Sequence, residues 1–201
     1  MSLTTETACR IALAAVFAAV LVVGLPHRVR ADRAGGRVSP RGDPRWFWAL
    51  MALVGPPVAL VCLGFILRPR LVEFAQLGLP PEWRWLGVPV AGAGVWLFAA
   101  VFRHLGLNVT STSIPRANAT LVTGGPYRWI RHPMYSAALL LIVAATLLTA
   151  NAIVLGGGLG MFALLAARSR VEERRLVEKF GDDYRAYQAR TGRFVPRLSW
   201  K

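Results

Sequence analysis

The sequence predicts an all-α integral membrane protein: about five transmembrane helices, a C-terminal helical hairpin and a cytoplasmic amphipathic tail. Three observations carry that reading. The 201 residues are 55% hydrophobic and only 17% charged, with a mean hydropathy of +0.45, whereas a soluble domain carries about a quarter charged residues. The apolar residues fall in blocks of membrane-crossing length. The net charge of +14 lies between those blocks and not inside them.

Each block reads as follows. Ile11 to Leu25 is uninterrupted and apolar. Its leader carries Glu6 beside Arg10 and no small-x-small cleavage site follows, so a retained span is expected in place of a signal peptide. Trp46 to Leu67 is uncharged, with a kink expected at Pro56-Pro57. Trp85 to Phe102 supplies a third span. Pro133 to Ala167 runs 35 residues without a charge. As one helix it would reach about 50 Å, against a hydrocarbon core of about 30 Å. Two short helices turning at Thr149-Ala150-Asn151 are therefore expected. Gly92-Ala93-Gly94 and Gly156-Gly157-Gly158 with Gly160 lie inside spans and follow no strand, so close helix packing is their expected role. Cys9 and Cys62 sit in apolar blocks and read as small buried hydrophobes, with no metal site. The chain divides into 1–104, three spans with a basic loop over 26–45, and 105–201, two spans and the tail.

Basic residues set the expected orientation. Twenty of the 24 Lys and Arg lie in the first loop, in the stretch from Arg103 to His132 and in the tail; Arg10, Arg68, Arg70 and Arg84 lie on the other side. The positive-inside rule then places the N-terminus outside and the C-terminus in the cytoplasm, in a bacterial inner membrane. The expected partner of this charge is membrane lipid and not nucleic acid, because the cations flank apolar spans. Asn108-Val-Thr110 and Asn118-Ala-Thr120 match the glycosylation pattern but fall on the cytoplasmic side, so they read as chance.

Chemistry concentrates in two places. Gly125 to Ala137 reads GPYRWIRHPMYSA and crowds Arg128, Arg131 and His132 against Pro133. Simple anchoring needs one or two basic residues, not Gly-Pro-Tyr before them and Pro-x-Tyr after. The tail then reads RSRVEERRLVEKFGDDYRAYQARTGRFVP. Leu176, Phe180, Tyr184 and Tyr187 share one helical face, which taken alone suggests an amphipathic segment lying on the membrane. Gly181 is a fair helix stop, and Asp182 or Asp183 could cap a further short helix. Arg168 and Glu172 are spaced i, i+4, share a face, and sit at or just below membrane depth, where an ionisable pair is a functional candidate.

Taken together, LVTGGPYRWIRHPMYSA and the charged tail resemble the membrane-embedded isoprenylcysteine carboxyl methyltransferase family, with its related phospholipid and thiol methyltransferases. The resemblance covers Leu105 to about Pro196 and leaves the first two spans and the arginine-rich loop unmatched. It implies transmembrane helices holding S-adenosylmethionine near the cytoplasmic face. It also implies cofactor contacts at Thr120, Leu121 and Val122, at Tyr127, at His132, Pro133, Met134 and Tyr135, and at Glu172, with Arg168 facing the substrate. Ala119 stands where some members have histidine, and Ala137 where many have glycine. Ser111 to Arg116 departs from the eukaryotic enzymes.

The residue types suit that chemistry. The cofactor's carboxylate needs Arg, His or free backbone N–H groups, which Arg131, His132 and their neighbours offer. Tyr127 and Tyr135 can supply hydroxyls or a π face to a cation. Glu172 can accept from ribose hydroxyls or pair with an ammonium. The Gly-rich dinucleotide fingerprint is absent. With Arg168 and Glu172 as the catalytic pair, the expected activity is carboxyl O-methylation of a lipophilic small-molecule or prenylated substrate. The alternatives are a methyltransferase for a phospholipid amine or small thiol, an NADPH-dependent membrane reductase, since such reductases share Arg-His-Pro-x-Tyr, and a non-catalytic protein that binds anionic lipid.

Overall fold

A computed structural model describes residues 3–35, 43–109 and 119–197. Arg37, Arg41, Thr110, Ser111 to Arg116 and Asn118 lie outside them. Among the described residues six α-helices make the fold: α1 (Leu3–Gly35), α2 (Arg45–Leu67), α3 (Pro81–Trp85), α4 (Gly87–Leu105), α5 (Pro133–Thr149) and α6 (Ala152–Arg190). Among the described residues there are no strands, only two isolated bridges. Four apolar stretches are long enough to cross a bilayer, in α1, in α2, over Pro81–Asn108 and in α6; α5, with 17 residues, is shorter. It packs against both α4 and α6 as one arm of the hairpin. The chain is an integral membrane protein.

The hairpin turns where the length argument places it. Thr149 ends α5, Ala150 takes a left-handed conformation (φ 48°, ψ 45°), and the Asn151 side chain accepts from the Ile153 and Val154 amides. Asn151 thereby satisfies donors that the first turn of a helix leaves open. Its Nδ2 donates to the Val72 carbonyl at 3.0 Å, and Leu77 N donates to Ala150 O at 2.6 Å. These bonds join the hairpin turn to the short 3₁₀ segment Pro69–Ala75 that follows α2 and to Leu77 just beyond it.

The helices pack closely through small residues. A Cβ placed on Gly158 would sit 2.4 Å from Ile142 Cγ2, and one on Gly157 2.3 Å from Val58 Cγ2, while Gly94 meets Leu141 at 2.9 Å. Gly92 and Gly156 meet nothing within 4 Å, so only part of each glycine cluster does this work. Gly158→Leu is expected to destabilise the fold by about 1–3 kcal/mol, as overpacking does, read as a lower thermal unfolding midpoint in detergent. Ile142→Ala in the same chain should recover part of that loss. Cys9 and Cys62 are both buried, in a cluster with Leu13, Val61, Phe65, Leu148 and Val154.

Two features differ from the sequence reading. The helix α1 does not stop at Leu25 but runs through Pro26 to Gly35, so Arg28, Arg30 and Arg33 are helical and the connection to α2 begins later. Two cations of the sparsely charged end are not loop charges. Arg84 is fully buried and donates through Nε and Nη2 to the last-turn carbonyl of Leu148, at 3.2 and 2.6 Å. Arg10 donates to the Ile66 and Leu67 carbonyls closing α2. Helix C-termini carry unpaired carbonyls and partial negative charge, and arginine answers both.

Candidate functional site

The other end of the bundle joins the two motifs by main-chain bonds. Arg131 N donates to Gly192 O at 2.8 Å, His132 N to Arg193 O at 3.0 Å, and Gly192 N to Trp129 O at 3.0 Å. The tail reaches this position because Gly181 breaks α6 (φ 58°, ψ −130°) and redirects its last turns. Tyr187 is buried there and donates to the Tyr127 carbonyl at 2.6 Å. Gly125 also requires glycine. Its φ is +56°, and a Cβ would lie 2.3 Å from His104 Nε2.

Glu173 organises this junction, and the sequence reading passed over it in favour of its neighbour. The buried carboxylate accepts from Arg131 Nε at 2.9 Å, His132 Nε2 at 3.1 Å, Arg193 Nη2 at 2.6 Å and Gln188 Nε2 at 3.3 Å. The Arg131 Nη1 further donates to the Gln188 and Thr191 carbonyls. Much of the Arg131 fork, expected to meet a cofactor carboxylate, is therefore engaged inside the protein. The i, i+1 step on a helix turns Glu173 away from the face that Glu172 shares with Arg168.

Glu172 faces a cavity of about 570 Å³. Its Oε2 accepts from the Tyr135 hydroxyl at 2.9 Å and lies 3.9 Å from His132 Nδ1. The His132 and Tyr135 rings stack at 5.3 Å, tilted by 10°. Arg168 lines the same cavity and points Nη1 at the Tyr135 hydroxyl, 3.5 Å away. Thr120, Leu121, Val122, Tyr127, Arg131, His132, Met134 and Tyr135 all contribute to the wall; Pro133, at the first turn of α5, does not. Asn108 holds the 120–122 segment in place, accepting from Thr120 N at 3.4 Å. Burial, with Glu172 and Tyr187 adding to it, pushes the Tyr127 phenol well above its ordinary pKa. It therefore stays a neutral donor.

The cavity continues away from these polar groups. Leu21, Gly24 and Leu25 of α1, Phe98 and Phe102 of α4, and Leu141 and Leu165 of the hairpin line its apolar arm. Leu21 and Leu25 are also more than half exposed, within the apolar stretch of α1 that is long enough to cross a bilayer. Leu176, Phe180, Tyr184 and Tyr187 complete the wall. Their shared face, which alone suggested a segment lying on the membrane, closes this cavity instead, because the bend at Gly181 folds the tail back onto the bundle. Asp43, Glu173, Gln188 and Arg193 were not legible as site residues in the sequence: each acts through a partner distant in the chain.

Comparison with known proteins agrees with this architecture. The family model for phospholipid methyltransferases matches residues 83–183. The chain is 41% identical over 85 residues to the cobalt-zinc-cadmium resistance protein CzcN of Cupriavidus metallidurans, covering 42% of this chain and 39% of that protein. It is 35% identical over 72 residues to methanethiol S-methyltransferase of Pseudomonas deceptionensis (36% and 27%), and 30% identical over 70 residues to methanethiol S-methyltransferase 1 of Bradyrhizobium diazoefficiens (35% and 24%). The chain thus spans less than half the length of these curated relatives. The fold resembles that of a eukaryotic intramembrane Ras methyltransferase, isoprenylcysteine carboxyl methyltransferase, with a TM-score of 0.52 and 18% identity, over 90% of this chain and 60% of that one. The family match spans half of the chain and takes in the cavity wall from Thr120 to Phe180, so the chain belongs to the phospholipid methyltransferase family.

Proposed function

We propose that the protein is an S-adenosylmethionine-dependent methyltransferase that modifies a lipophilic acceptor at the basic end of the bundle. The observation that carries this is one continuous cavity with two chemically distinct ends. At one end Glu172, Tyr127, Tyr135 and His132 converge; at the other, apolar side chains of α1, α4 and the hairpin form the wall. Ligand sites commonly occupy about 300–1,000 Å³, and the cavity has room for a nucleoside-sized donor with the head of an acceptor.

The residues present fit the donor. Glu172 offers carboxylate oxygens to an ammonium or to ribose hydroxyls. The Thr120 to Val122 backbone and the Tyr127 and Tyr135 rings supply polar and π contacts. When bound, S-adenosylmethionine supplies an activated methyl group on a sulfonium. The chain's task is then positioning, which can contribute about 7–11 kcal/mol, together with exclusion of water by the buried aromatic wall. A thiol or amine acceptor must also lose a proton on methylation, and Glu172 is placed to take it. The resemblance to isoprenylcysteine carboxyl methyltransferase favours a carboxylate acceptor held by Arg168, and the methanethiol S-methyltransferases among the relatives favour a sulfur acceptor. The basic end bearing the site faces the cytoplasm of a bacterial inner membrane in this reading, consistent with the distribution of Arg and Lys.

The test is calorimetric titration of the detergent-purified protein with S-adenosylmethionine, followed by transfer of labelled methyl to extractable lipophilic acceptors. Saturable binding and transfer are expected. A folded protein that binds no donor would refute the proposal. Gly24→Phe, whose side chain would enter the apolar arm beside Phe98, is expected to cut transfer to long-chain acceptors at least tenfold. It should leave donor affinity within threefold, as read by the same titration.

A further inference from the structure

Arg168 is already bound on one edge. Its Nε and Nη2 donate to the two oxygens of Asp43, at 3.4 and 3.2 Å, as a side-on bidentate pair. Its end-on edge is shared as well: Nη2 with Asp43, and Nη1 with the Tyr135 hydroxyl at 3.5 Å. The guanidinium lies 5.0 Å from the centroid of the Phe47 ring. Asp43 and Phe47 both belong to the entry of α2, outside the family match. The Asp43 side chain is completely shielded from solvent, so water does not weaken the pairing. Arg175 approaches Asp43 at 3.9 Å from a partly exposed position. With Glu172 on the far side of Tyr135, the cluster sets two arginines against two carboxylates.

We propose that Asp43 is a specificity determinant that excludes a carboxylate from the acceptor position beside Arg168. The acceptor then reaches the site without negative charge at its reacting end, as a thiol. The inference rests on the methyltransferase reading and selects among its acceptors. A guanidinium holds a carboxylate best through a two-point fork, and Asp43 occupies that fork. A second carboxylate on the same guanidinium would meet Asp43 at short range, and buried like charges repel. Displacing Asp43 instead would break a buried ion pair, which is costly. A neutral acceptor meets neither obstacle. Asp43 touches neither donor nor acceptor and acts through Arg168.

The test uses the full chain in detergent, first saturated with S-adenosylhomocysteine, whose binding is measured by calorimetry. Dodecanoate and dodecanethiol, matched in chain length, are then titrated against a micelle blank. Wild type is expected to bind dodecanethiol at least tenfold more tightly than dodecanoate. Asp43→Asn, and separately Asp43→Ser, should shrink that ratio at least tenfold by tightening dodecanoate binding, with affinity for S-adenosylhomocysteine kept within threefold. Equal binding of both probes by wild type, or binding of neither, overturns the inference without any variant being needed. A folded variant with an unchanged ratio overturns it too, by making Asp43 a purely structural partner. Failure of wild type to bind S-adenosylhomocysteine is a different result: it removes the methyltransferase reading itself, and the inference with it.

Discussion

Glu173→Gln is expected to destabilise the end of the bundle that holds the cavity by about 3–5 kcal/mol, the cost of removing one partner from a buried ionic cluster. The carboxylate takes hydrogen bonds from Arg131, His132, Arg193 and Gln188. Glutamine keeps the volume but loses the charge. Arg131, whose side chain is only 11% exposed, would then lack its counter-ion. The bonds from Arg131 N and His132 N to the 192–193 backbone depend on the same junction. The thermal midpoint in detergent should fall clearly, and donor binding should weaken as a consequence. Arg193→Ala should cost far less, since its side chain is 35% exposed and exposed pairs contribute about 0–1 kcal/mol. A Glu173→Gln protein that melts like wild type would show that the carboxylate does not organise the junction.

Glu172→Gln should do the opposite. Its carboxylate is 29% exposed, and its shortest side-chain contact is the hydrogen bond from the Tyr135 hydroxyl, so stability should change little. Donor affinity should fall tenfold or more, about 1.4 kcal/mol, because glutamine cannot balance an ammonium. Tyr135→Phe should produce a smaller loss, since it removes the hydroxyl that ties Glu172 to Arg168 but leaves the carboxylate in the cavity. The readout is calorimetric titration with S-adenosylmethionine, with the thermal midpoint measured beside it. Unchanged affinity in a folded Glu172→Gln protein would remove Glu172 from the donor site. The two adjacent glutamates thus separate the roles: one variant loses fold and binding together, the other binding alone.

Much of the candidate site's lining was legible because its residues sit in two short stretches with local logic. His132 to Tyr135 opens a helix at a proline, and Arg168 and Glu172 share a face by their spacing. The family match falls over those stretches. Glu173 escaped because its partners Arg131, His132 and Arg193 come from elsewhere in the chain, and nothing local marks which of two adjacent glutamates turns inward. Arg84 escaped for the same reason. A lone cation before an apolar block reads as a loop charge until the α5 carbonyl that it answers is brought to it.

The sequence by itself determined the membrane class, the hairpin and the place of its turn. Hydropathy, length and helix-terminal chemistry act over a few neighbouring residues, and the chain obeys them at Thr149, Ala150 and Asn151. The tertiary structure alone decided that the tail face of Leu176, Phe180, Tyr184 and Tyr187 closes a cavity and does not lie on lipid. It also decided that Asp43, 125 residues away in the chain, takes the fork of Arg168. Burial and charge pairing between distant segments depend on which helices become neighbours, and no local pattern encodes that choice.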